Sequence, residues 1–141
     1  MRRIESISVH DWVERYEVNM KGRPAMGGDE LRGGALEYIR SKVFGHDQGM
    51  GYRRLVEAAG PKAMEVFGLF HKLLELQADS RREYRDKIRV RRDGEVASAK
   101  DVAFVLSIPE EVVVRGVEIL AEIRWVGVEY SGEAAPDADV P

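Results

Sequence analysis

The stretch that most limits what this chain can fold into is residues 98–128, SAKDVAFVLSIPEEVVVRGVEILAEIRWVGV. Ser98 is followed three residues on by Asp101, and Ser107 by Glu110. Each pair sets a hydroxyl where it can take an orphan backbone N–H, with an acid near the positive end of a helix. Two helices therefore start about one short helix apart. In the first, Ala99, Val102, Ala103 and Leu106 share a face; in the second, Val113, Val117 and Leu120 do, supported by Val112, Gly116 and Ile119. Pro109 suits the first turn of its helix, where a missing N–H costs nothing. Beyond it, residues 124–130, RWVGVEY, are rich in aromatic and β-branched side chains, which predicts a strand paired with the short segment before Ser98. The stretch reads as helix, tight turn, helix, strand.

The strongest single helix precedes it. Over residues 62–79, Ala63, Val66, Phe67, Phe70, Leu74 and Gln77 share one face, and Leu69, Leu73 and Leu76 widen it. The remaining row of Glu65, Gly68, Lys72, Glu75 and Asp79 is narrow, so most of this helix is expected in the core. His71 falls at the edge of that face, with no second histidine at helical spacing to share a metal. Tyr52, Leu55, Val56 and Ala59 predict a shorter helix before it, closed by Gly60-Pro61. Leu36, Ile39 and Val43 predict another over residues 35–44. Nearer the start, Val9, Trp12, Val13 and Tyr16 recur at helical spacing behind Ser8, which predicts a short amphipathic helix.

These elements divide the chain into an N-terminal helix (1–20), a glycine-rich linker (21–34), a main domain (35–130) and an acidic disordered tail (131–141). The expected fold class is mainly α with a small β component, a winged helix-turn-helix with additional N-terminal helices.

Composition narrows function by exclusion. The 141 residues include no cysteine and three scattered histidines, so neither a thiolate metal site nor a recognisable histidine set is expected. The glycine-rich run at 21–34 lacks the lysine-serine/threonine ending of a phosphate-binding loop and a strand before it. His46 beside Asp47 suggests an oriented imidazole, but no nucleophile is paired with them, and a glycine-rich turn accounts for both. No catalytic residue, metal or cofactor is expected, and the chain is read as not an enzyme. No apolar run approaches a membrane span, and Met-Arg-Arg-Ile-Glu-Ser is not followed by an apolar export signal, so a cytoplasmic protein without a membrane partner is expected.

The formal charge is −3, and against it residues 80–93, SRREYRDKIRVRRD, form the only basic concentration. Arg81, Arg82, Arg85, Lys87, Arg89, Arg91 and Arg92 are candidate phosphate contacts, with Tyr84 able to reach a phosphate or stack on a base. The competing account is a charged connector neutralised by acidic neighbours.

The progression from FGLFHKLLELQAD through a DG turn to DVAFVL, IPEEVV, ILAEI and RWVGV resembles the winged-helix part of phage replisome-organiser and DnaD-like replication-initiation proteins. It covers about half the chain, and it departs from the family pattern where the glycine before the tryptophan is Arg124. The resemblance implies a DNA transaction in replication or regulation, with self-association through the winged-helix region. Physical chemistry qualifies it, because the second motif helix carries Glu111, Arg115, Glu118 and Glu122 on its outer row behind Glu110. Phosphates would meet mostly carboxylates there.

Two functions therefore stand at this level. One is phosphate contact through residues 81–92 with Lys100, Arg115 and Arg124. The other is an interaction module that docks itself or a replication protein through Glu111 and Glu118, or through Trp12 and Tyr16.

Overall fold

A computed structural model describes residues 3–12, 16–17, 51–90 and 94–131. In chain order it contains β1 (Ile4–Val9), α1 (Tyr52–Ala59), α2 (Ala63–Ala78), α3 (Ala99–Leu106), α4 (Glu110–Glu122) and β2 (Val126–Tyr130). The expected linker, the helix at 35–44, the His46–Asp47 turn, and Arg91 and Arg92 lie outside the described residues, as does all but Ser131 of the expected tail. The mainly α architecture with a small β component is present.

The α2 stripe is as the sequence sets it. Val66, Leu69, Phe70, Leu73, Leu74 and Gln77 are buried, while Glu65, Gly68, Lys72, Glu75 and Asp79 are exposed. α4 crosses α2 closely, and Gly116 makes that approach possible: a Cβ there would lie 2.5 Å from Leu69 Cδ2. At α3 the expected capping box forms, with Ser98 Oγ accepting the Asp101 N–H and Asp101 accepting the Ser98 N–H. Such a cap contributes about 1 kcal/mol.

Three expectations are corrected. Ser107 does not cap α4; it ends α3 in the left-handed region at φ 59°, and Pro109 takes the cap position without a side-chain bond. The N-terminal segment opens on a strand, β1 (Ile4–Val9), which takes Ser8 and Val9 of the expected helix, and beyond it the Tyr16 N–H bonds the Trp12 carbonyl at 2.9 Å. The partner of β2 is also different, because β2 pairs antiparallel with β1 (Val9↔Val126, Ile7↔Val128) and not with the segment before Ser98. That segment instead closes on the basic stretch through an isolated bridge between Arg89 and Val96.

The sheet has two strands, and β1 is bonded on both of its sides. The His10 N–H bonds the Trp125 carbonyl at 2.9 Å, and antiparallel alternation then turns the backbone groups of Ile7 and Val9 away from β2. On that far side the Ile7 carbonyl accepts the Ile88 N–H, and the Val9 N–H donates to Gln77 Oε1, both at 2.9 Å. Gln77 also donates to the Arg85 carbonyl at 2.8 Å. A fully buried amide thus ties the sheet edge to α2 and the basic stretch, with its polar atoms satisfied.

The core fills the space between this sheet and the helices. Aromatic rings run through it in sequence, from Trp12 to Tyr16 (5.6 Å between centroids), Tyr16 to Phe70 (6.4 Å) and Phe70 to Trp125 (5.0 Å). The N-terminal segment is therefore part of the same core as the motif helices. His71 is half-buried with its ring edge-on to Phe67 at 4.6 Å, a packing role at the rim of the core.

Candidate interaction surface

The basic stretch begins where α2 ends. The chain turns through a short 3₁₀ segment, Arg82–Tyr84, and the following residues come back against β1. This places Arg85 inside the molecule, 2% exposed, against Glu17, 1% exposed. Arg85 Nη2 lies 2.8 Å from Glu17 Oε1 and Nε lies 3.1 Å from Oε2, while Nη1 donates to the Ser80 carbonyl at 2.8 Å. The second carboxylate oxygen also accepts the Trp12 indole N–H at 2.6 Å. A buried guanidinium in a two-point contact with a carboxylate has its fork filled and cannot reach a phosphate. Arg85 as a nucleic-acid contact is therefore corrected. Trp12 and Tyr16 are corrected with it, since both rings are buried and neither offers a docking surface.

The next cations are also tied down, though nearer the surface. Lys87 Nζ lies 2.9 Å from Glu129 Oε1, across from the strand that follows α4. The Ser6 hydroxyl and then Lys87 hold the Glu129 carboxyl below the usual carboxylate range. With a lowered folded-state pKa this tie is complete at neutral pH, and it loosens as pH falls through that folded-state value. Arg89 bonds Asp86 at 2.9 Å and the Tyr84 and Gly94 carbonyls, with its guanidinium over the Tyr84 ring, 5.3 Å from the centroid. Only Arg81 and Arg82 of the described arginines in this stretch are strongly exposed. The stretch is not one continuous cationic surface among the described residues.

The other sites are on the motif helices. Lys100, Arg115 and Arg124 are exposed, and so are Glu111, Glu118 and Glu122 on α4. Arg124 sits at φ 66° between α4 and β2. On α4 the one exposed cation, Arg115, stands among Glu110, Glu111, Glu118 and Glu122.

Reasoning from the sequence missed the most exposed large apolar side chain. Phe104 on α3 is 85% exposed, and its neighbour Val105 is 49% exposed. The signal was available, because Phe104 falls off the Ala99–Val102–Ala103–Leu106 face. A surface cavity of about 170 Å³ is lined by Arg3, Ile4, Glu5, Ser98, Lys100 and Glu110. Among the described residues, the side chains of Arg3, Glu5, Lys100 and Glu110 make no ion pair or hydrogen bond.

No described helix is long and apolar enough to cross a membrane. Comparison with known proteins finds no matching family model, no similar curated protein and no similar solved structure.

Proposed function

We propose that this chain is a protein-interaction module of winged-helix type that docks through α3 and does not read DNA. The observation that carries this reading is Phe104, a phenyl ring held in solvent at 85% exposure on a well-capped helix. Holding a large ring in water forgoes roughly 1.5–3 kcal/mol of burial, which a partner recovers. The arrangement of charge supports the same reading. Arg85, Lys87 and Arg89 face acids and carbonyls of their own chain, so their charge serves the fold.

Phosphate contact is the second reading, favoured by the exposure of Arg81, Arg82, Lys100, Arg115 and Arg124. Fluorescence anisotropy with short duplex and single-stranded DNA separates the two. The module reading expects dissociation constants of about 100 μM or weaker at physiological salt, the weak end of non-specific binding. A submicromolar complex that weakens steeply with salt and is lost in the double variant Arg81→Glu, Arg82→Glu contradicts it.

A further inference from the structure

We infer that the cavity between the start of β1 and the first turns of α3 and α4 binds a small zwitterion, an α-amino acid of about the size of alanine. Arg3 and Lys100 meet its carboxylate, and Glu5 and Glu110 meet its ammonium group. This goes beyond the docking reading, since neither Phe104 nor Val105 lines the cavity.

Three separate pieces of chain build the site. Arg3 and Glu5 are exposed on either side of Ile4, which is buried. The register of the sheet steps from Ile4↔Tyr130 to Ser6↔Glu129 and passes over Glu5. Glu5 is thus the extra residue of a bulge, a device that re-aims a side chain and recurs beside binding sites. Lys100 comes from the first turn of α3, and Glu110 is the first residue of α4. The Ser98 hydroxyl is committed to Asp101, so recognition falls to the four charged groups.

The charge pattern names the ligand. Two cations and two carboxylates line about 170 Å³, yet none of the four side chains pairs with another or with any other described residue. Each is left to bond a guest. An anion alone, or a cation alone, is attracted by two of these groups and repelled by the other two. A molecule that carries both charges offers each kind a partner of the right sign. Size agrees, because a cavity of about 150 Å³ accepts benzene, and alanine has as many heavy atoms. All four side chains are exposed, so water and salt screen every contact. A dissociation constant of about 1 mM is therefore expected, rising with ionic strength.

Titration of the isotope-labelled full chain with alanine, to about fifty times that constant, tests the site through backbone amide chemical shifts. Saturable shifts are expected at Ile4, Glu5, Ser98, Lys100 and Glu110. Propionate lacks the ammonium group and ethylamine lacks the carboxylate, so each is expected to bind about tenfold more weakly. Lys100→Gln and Glu5→Gln are each expected to weaken alanine binding about fivefold with unchanged thermal unfolding, because both side chains are exposed and unpaired among the described residues.

An absence of saturable shifts across the titration overturns the site. Shifts centred elsewhere, or binding indifferent to both variants, overturn its placement in this cavity. Propionate or ethylamine binding as tightly as alanine overturns recognition of both charges.

Discussion

Replacing Arg85 with alanine is expected to remove about 3–5 kcal/mol of folding stability, because it leaves Glu17 charged, buried and without its strongest partner. Among the described residues, Glu17 then retains only the Trp12 indole N–H, and the Ser80 carbonyl loses the Arg85 donor as well. Domains of this size are held by about 5–15 kcal/mol in total. A loss of that order lowers the melting temperature by about 10 °C or more. Chemical denaturation with a constant m-value reads the change directly. The paired substitution Glu17→Leu with Arg85→Met is expected to recover most of the loss, since removing both charges also removes both desolvation costs. A cost below about 1 kcal/mol for Arg85→Ala is what an exposed ion pair gives, and it contradicts the buried tie.

Removing residues 1–17 is expected to abolish cooperative folding. The deletion takes away β1, whose Ile4, Ile7 and Val9 are buried, together with Trp12, Tyr16 and Glu17. Each large apolar side chain contributes roughly 1.5–3 kcal/mol on burial, so five of them are together comparable to the whole net stability of an ordinary domain. The loss also strips β2 of its only partner among the described strands and leaves Arg85 buried without its carboxylate. Loss of the near-ultraviolet circular dichroism and of a sharp thermal transition is the expected result. A truncated chain that melts cooperatively near the wild-type temperature contradicts the placement of β1 in the core.

That prediction also shows where the sequence was readable and where it was not. The α2 stripe could be read because the 3.6-residue period runs unbroken from Ala63 to Gln77 and its polar row is clean. The Ser98 cap could be read because donor and acceptor lie three residues apart. β1 was hidden by an irregularity in its own register: the pairing shifts between Ile4 and Ser6, which breaks the two-residue alternation and leaves Ile4, Ser6, Ile7 and Val9 all buried. The helical spacing of Val9, Trp12 and Tyr16 then gave the more regular pattern, although Val9 belongs to a strand.

The inward role of Arg85 was illegible for a different reason. Its partner Glu17 is 68 positions away, and no local spacing reports a contact made only when β1 closes the sheet. A run of arginines in sequence therefore looked like a single basic surface. Folding separates its described cations into one buried tie, two surface ties and a pair of exposed side chains.

The claim on which the rest depends is that the charge of Arg85, Lys87 and Arg89 is spent within the fold. Nitrogen-correlated NMR of the Arg85 Nε–H group tests it most directly. The account predicts a resolved, slowly exchanging signal at neutral pH that disappears in Glu17→Leu and does not move when short duplex DNA is added. A signal broadened by rapid exchange with water, or one that shifts with added DNA, contradicts it and returns the arginine-rich stretch to the surface as a phosphate contact.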